Sequence, residues 1–382
     1  MKLKPQITIL SHFSNIRDQR VERRKLHKLI DIITITICAV ICGAETWEDI
    51  AMFGESKYKW FKQFLALTNG IPSHDTFSRV IAQIEPEQFQ KSFVTWIQSI
   101  SKLSDQEIIA IDGKTLRGSY NTTKEKEKAA IHMVSAWATA NHLVLGQVKV
   151  NEKSNEITAI PELLRLLYLK GCIITIDAMG CQRDIVKQIT DQGGDYVISL
   201  KLNQKSLHEK VEELFQSAVK AKFQGFEHSE IRVDGKGHGR QEIRQYVMLS
   251  NIQSLIDSDG KWSNLHSVGM VNSWRTENEI TTLETRYFIS SLSNNSELLA
   301  QCIRSHWGIE NKLHWVLDVQ FNEDDSRIRN GNAPENLATV RHIALNLLNQ
   351  EKTVKAGVKR KRNKAGWDNE YLEKVLAGIF IT

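Results

Sequence analysis

Cysteine is sparse: five occur among 382 residues, at positions 38, 42, 172, 181 and 302, with no CxxC pair. That count and spacing argue against a disulfide framework and against a zinc knuckle. Cys38 and Cys42, four apart in an apolar run, read as buried helix residues. Long hydrophobic runs are also missing. The most apolar stretch, Leu29 to Ala44, contains Asp31, Thr34 and Thr36 and falls short of the roughly 20 residues a membrane span needs. The first twenty residues, MKLKPQITILSHFSNIRDQR, lack an uninterrupted apolar core and a small-residue cleavage site, so no secretory leader is read there. Charge of one sign is scarce as well: 50 Lys plus Arg against 45 Asp plus Glu leaves +5. Such an excess does not by itself argue for nucleic acid. The expectation is a soluble cytoplasmic protein with no membrane partner. What is present, 41% hydrophobic and 25% charged residues, is a globular composition, enough for about two domains or one large domain with an insertion.

Residues 1–100 read as helical, with helices over Leu29–Gly43 and Trp47–Ala66. A turn at Asn69-Gly70-Ile71-Pro72 precedes a helix capped by Ser73 that carries Asp75, Thr76, Phe77, Arg79 and Val80. This pattern fits a helix-turn-helix and equally a helical bundle packed on the next domain. From residue 105 the periodicity changes. Glu107–Asp112 and Cys172–Asp177 are apolar runs that each end in an acid, and Tyr196–Leu200 is a third strand. Ile131–Ala140 and Leu143–Val150 form a hairpin, and Ile157–Leu169 and Cys181–Gln192 are helices. The order predicts a mixed α/β sheet with flanking helices. Runs at 242–249, 266–271 and 283–290 predict a β-rich insertion at about 202–295, followed by helices over Glu297–Trp315 and Pro334–Gln350. Residues 351–382 form a basic tail, with six basic residues between Lys355 and Lys364. No internal repeat is visible.

Asp112 and Asp177 are the candidate chemistry. Acids at strand ends in an open α/β sheet lie where such sheets bind ligands, and converging carboxylates suit Mg²⁺ or Mn²⁺. The alternative is that each acid caps a turn. A third acid, Glu310, shares a helix face with His306 and His314, beside Arg304, Trp307, Asn311 and Lys312. Basic groups meet phosphates and aromatics stack on bases. Glu323, Asp324 and Asp325 are a competing acidic cluster.

IDGKTLRGS (111–119), NEKSNEITAIPELLRLL (151–167), IDAMGCQRDI (176–185) and HWGIENKLHWVLDVQFNEDDSRIRNGNA (306–333) together resemble the H-repeat-associated proteins, ISAs-type insertion-sequence DDE transposases. TICAVICGAETWEDIAMFGE near the N-terminus resembles the helical segment preceding the catalytic domain in that family. The resemblance spans nearly the whole chain. It implies a helical N-terminal domain (1–100) with possible DNA binding and an RNase H-like catalytic domain (101–350). It also implies a D-D-E triad of Asp112, Asp177 and Glu310 holding two Mg²⁺ or Mn²⁺ ions. The implied partners are transposon-end and target DNA, bound by a homodimer in the nucleoid. Candidate DNA contacts are Lys114, Arg117, Arg304, His306, Trp307, Asn311, Lys312 and Arg327. Gly237-His238-Gly239-Arg240 resembles the family's HGR-type motif, which adds His238 and Arg240. The sequence departs from the wider Y-R-E-K signature: with Glu310 as its acid, Ile303, His306 and Leu317 occupy the other three places. A metal-dependent nuclease without strand transfer, an inactive DNA-binding relic and a small-molecule phosphohydrolase are the alternatives.

Overall fold

The computed structural model describes residues 8–101, 103–120, 129–151, 154–237 and 240–377. The first hundred residues form α1 (Thr8–Phe13), α2 (Leu29–Ile41), α3 (Trp47–Ser56), α4 (Tyr58–Phe61), α5 (His74–Gln83) and α6 (Pro86–Ile100). In α2 every residue from Asp31 to Ile41 is buried. Thr34 and Thr36 are tolerated there because their hydroxyls donate to the carbonyls of Ile30 and Ile32, at 2.7 and 2.8 Å. The helix expected over 47–66 is broken at Lys57 (φ −101°, ψ 11°), where the chain turns Trp60 and Phe61 into the core. Ser73 caps α5, accepting from Thr76 N. That helix packs against α2 and α3, burying Phe77, Val80 and Ile81.

A sheet follows, built from β1 (Ile108–Leu116), β2 (Ile131–Ala138), β3 (Leu143–Lys149), β4 (Ile173–Ile176) and β5 (Asp195–Leu200), with α7 (Glu156–Leu166) and α8 (Arg183–Asp191) between its later strands. The spatial order is β3-β2-β1-β4-β5. β1, β4 and β5 are parallel and β2 is antiparallel to both its neighbours. This is the mixed sheet expected of an RNase H-like core. The parallel strands are apolar on both faces, as strands covered on both sides must be. Ile109, Ile111, Ile174 and Ile176 join the main core, while Ile108, Ile173 and Val197 pack in a second cluster with Leu299, Cys302 and Ile303.

The β-rich segment extends the same sheet. After α9 (Lys205–Lys220) come β6 (Glu227–Gly237), β7 (Arg240–Ser250), α10 (Gln253–Ile256), β8 (Ser267–Glu277) and β9 (Ile280–Ser290). β9 pairs antiparallel with β5 from Val197↔Ser290 to Leu200↔Tyr287. The result is one nine-stranded sheet of order β3-β2-β1-β4-β5-β9-β8-β7-β6. α11 (Ser296–Ile309) lies across it, touching β1, β4, β6 and β7. It runs through a π-helical turn, Glu310–His314, into α12 (Trp315–Phe321).

α13 (Ala333–Gln350) is buried from Ala333 to Leu348 except at Glu335. It packs against α2, α5, α6 and β3, so the N-terminal helices and the sheet share one core. Its Asn346 side chain clamps the edge strand β3, accepting from Val144 N and donating to Val144 O, both at 2.8 Å. An open strand edge is thereby covered. The basic segment expected as a solvated tail forms α14 (Val358–Trp367) and α15 (Asn369–Ala377), with Lys361 and Arg362 turned inward. Arg362 donates to Val40 O (3.0 Å) and lies over the Phe321 ring; Lys361 donates to Leu348 O (2.8 Å). The physical reason is that α2 and α13 end here, and the unpaired carbonyls at helix C-termini need donors. Lys355, Lys359 and Arg360 remain exposed. No helix among the described residues is long and apolar enough to cross a membrane.

Candidate active site

β1 and β4 are neighbours in parallel register, with Ile111 opposite Ile176. The next residue on each is Asp112 and Asp177, so the two acids stand at the same level of adjacent strands, about 4.8 Å apart in the backbone. Asp177 also caps the short turn Ala178–Gly180, accepting from Met179 N (3.0 Å) and Gly180 N (3.4 Å). It therefore fits the turn-capping alternative as well as the chemical one. Burial and the nearby Glu156 raise its pKa above the ordinary carboxylate range, and the two backbone donors oppose that.

Glu310 comes from across the sheet. α11 crosses β1 and β4, anchored by Leu299, Cys302 and Ile303, and Ile309 is buried just before Glu310. At Glu310 the helix widens into the π turn, and Trp315 N bonds to Glu310 O. Such turns occur often at functional sites. Asp112, Asp177 and Glu310 line one cleft of about 260 Å³. Burial, together with the charge and hydrogen bond of Glu310, pushes the Asp112 pKa up to about 8. Among the described residues the ion-pair neighbour of Asp112 is His314, whose Nδ1 is 3.7 Å away and 3.5 Å from Glu310 Oε2. Burial holds the His314 pKa low, so the ring supplies little charge. Around Asp112 and Glu310 the cleft is thus short of positive charge, and a divalent cation fits that local deficit and the oxygen-rich donor set.

Alternate residues of β4, β5 and β9 form the cleft floor: Thr175, Ser199 and Phe288 among them, with Lys201 and Arg286 supplying positive charge. His306 meets Thr175 Oγ1 at 3.2 Å. Burial lowers its pKa to about 4, so it acts through hydrogen bonding and not through charge at neutral pH. Trp307 lines the wall, with the Arg244 and Arg286 guanidinia over its ring at 5.0 and 5.1 Å.

The other expected contacts divide. Lys114 does not reach open surface: its ammonium meets Asp318 (2.6 Å), Glu323 (3.1 Å) and Asp324 (3.1 Å), with 11% of the side chain exposed. It neutralises the downstream acidic cluster and braces β1 against the segment after α12. Arg117 is 83% exposed beside Asp324. Arg304, Asn311 and Lys312 are exposed, and none of them lines the cleft; Arg327 lines a separate cavity with Trp47, Phe321 and Arg341. Ile303 and Leu317, at the signature positions, are buried apolar residues. His238 lies outside the described residues. Arg240 begins β7 opposite Gly237.

Three groups were not singled out from sequence. Lys201 follows β5 at the strand end, as Asp177 follows β4, and that shared position is a usable signal. Arg286 needs the β5–β9 pairing to reach the cleft. Glu156 lies within the 151–167 block. It meets His132 Nε2 at 2.7 Å, and His132 Nδ1 meets Thr115 Oγ1 at 2.8 Å. Gly113 makes room for the pair, because a Cβ there would lie 2.2 Å from Glu156 Oε1.

Comparison with known proteins adds to this geometry. The family described as "DDE_Tnp_1-associated" matches residues 10–97, and "Transposase DDE domain" matches 103–347. The chain is 46% identical over 374 residues to the "H repeat-associated putative transposase YhhI" of Escherichia coli K12, covering 97% of this chain and 98% of that protein. It is 46% identical over 373 residues to the "Putative transposase YncI" of Escherichia coli O157:H7, covering 97% and 94%. Among solved structures, a piggyBac transposase synaptic complex with hairpin DNA aligns with a TM-score of 0.41 at 11% identity, covering 97% of this chain and 78% of that one.

Proposed function

The chain belongs to the DDE transposase family, and from that premise we propose that it is an insertion-sequence transposase. It cuts DNA at the ends of its own element and joins the freed 3′-hydroxyl to target DNA. The observation that carries the reading is that Asp112, Asp177 and Glu310 line one cleft. Asp112, Asp177 and Glu310 would hold the divalent ions, Mg²⁺ or Mn²⁺, two being expected for this chemistry. When bound, such ions activate the attacking oxygen and neutralise charge on the leaving oxygen of an in-line displacement.

The chain's own groups orient the nucleic acid. Lys201 and Arg286 face the cleft and pair with backbone phosphates. Exposed Arg117, Arg304 and Lys312 extend that track, and the HGR-type motif adds His238 and Arg240 as further candidate contacts. His306, neutral in the wall, positions by hydrogen bonding to Thr175. Two copies of the chain acting together bring two element ends to one target.

A strand-transfer assay tests the proposal. Protein, Mg²⁺ or Mn²⁺, a labelled duplex carrying the element's end and a supercoiled target are mixed, with Asp112→Asn alongside. Joined product that vanishes in the variant supports a transposase. Cutting without joining replaces it with a nuclease. Binding with neither leaves a DNA-binding relic, and undiminished cleavage by Asp112→Asn removes the acid from the mechanism.

A further inference from the structure

We propose that His314 is a fourth protein ligand of the carboxylate site, adding a nitrogen donor that shifts its preference from Mg²⁺ toward Mn²⁺. The inference rests on reading Asp112 and Glu310 as metal ligands. Three donor atoms, one each from Asp112, Glu310 and His314, lie within 4.8 Å of one another. Nδ1 of His314 stands 3.5 Å from Glu310 Oε2 and 3.7 Å from Asp112 Oδ2. Ligands around a small divalent ion with bonds of about 2.1 Å lie about 3 Å apart when adjacent and about 4 Å apart when opposite. The observed separations fall in that interval and are long for direct hydrogen bonds.

His314 has no other evident employment. Its side chain is 6% exposed, and Nε2 is buried without a hydrogen-bond partner among the described residues. Buried polar groups left unpaired are uncommon and costly. The ring is nevertheless held on one aim, because Leu313 and Leu317 beside it are fully buried and Lys114 ties Asp318 of the same helix to β1. The π turn sets the register: it starts at Glu310 and ends at His314, so both residues that face Asp112 belong to the one widened turn. An imidazole nitrogen is a poor ligand for Mg²⁺, which selects oxygen, and a better one for first-row transition ions.

The experiment is pulsed EPR on the full chain loaded with Mn²⁺, which detects a directly bonded imidazole nitrogen. Uniform labelling with ¹⁵N-histidine identifies the nitrogen as histidine's without any substitution. The expected result is a histidine coupling in the wild type that survives in His306→Gln and disappears in His314→Gln. In His314→Gln, Mn²⁺ affinity should fall by roughly tenfold or more, while Mg²⁺ affinity, read by competition, changes much less. Mn²⁺ that binds, is lost in Asp112→Asn and shows no histidine coupling in the wild type overturns the assignment of His314 and leaves the carboxylate reading standing. A coupling lost in His306→Gln assigns the donor to His306 and also overturns it. Mn²⁺ binding that ignores Asp112→Asn overturns the carboxylate reading and this inference with it.

Discussion

Replacing Asp112 by Asn should make the metal-free protein more stable at alkaline pH. In the folded chain burial and Glu310 push this carboxyl up to about 8, against about 3.9 when unfolded. The sign follows from linkage. Between those values the folded protein holds a proton that the unfolded chain has released, so stability falls as pH rises and levels off above about 8. From pH 5.5 to pH 8 the shift spans about 2.5 units at about 1.4 kcal/mol each, an upper bound of about 3.5 kcal/mol. Partial exposure of Asp112 and sharing of the proton with Glu310 reduce this to about 1–3 kcal/mol. For a chain of this length 1 kcal/mol moves Tm by little more than about 1 °C. The assay is thermal unfolding of both proteins in chelator at pH 5.5, 7 and 8.5. The Tm of Asp112→Asn minus that of the wild type should grow by about 1–4 °C across the series. Saturating Mn²⁺ should reverse the order at pH 8.5, because only the wild type can exchange that proton for a cation. A difference that stays constant or shrinks with pH refutes the reasoning.

Four further outcomes are expected. Asn346→Ala leaves Val144 N and O without their partner at a buried strand edge and should cost about 2–4 kcal/mol in denaturant unfolding. Lys114→Met strands Asp318, Glu323 and Asp324 and should destabilise by about 3–5 kcal/mol without changing the salt dependence of DNA binding. Arg117→Ala should do the reverse, leaving Tm unchanged and reducing the slope of log K against log salt by about 0.9. Gly113→Ala drives a Cβ into Glu156 and His132 and should destabilise by about 1–3 kcal/mol, with loss of strand transfer exceeding that of DNA binding.

The parallel strands were legible because β1, β4 and β5 are short apolar runs with their acids or turn residues at the ends. The 131–150 hairpin and α13 were legible for the same reason, a strong local period. β6 was not, because Glu227–Gly237 lies at the open edge of the sheet and only Ile231 and Val233 touch the core. The union of the insertion with the sheet was invisible, since the β5–β9 pairing joins residues about ninety positions apart. The basic run misled because composition records charge and not destination: Lys361 serves a carbonyl at the end of the preceding helix α13, and Arg362 one at the end of α2, 322 positions away. At the site, the register of Asp112 with Asp177 followed from strand order. The confinement of Lys114 by three acids and the aim of His314 at two of the site's acids required side-chain geometry.

Burial of α13 on nearly every side has a consequence for how the protein is made. Residues 333–350 are synthesised near the end of the chain, yet α2, α5, α6 and the edge of β3 all close around them. An emerging polypeptide can pair β1 to β9 early. Until about residue 350 has left the ribosome, its N-terminal helices lack their central partner and Val144 on the sheet edge remains open to other strands. These long-range closures also predict slow folding. Copies of the gene cut short before α13 would yield aggregation-prone polypeptides and not smaller working proteins.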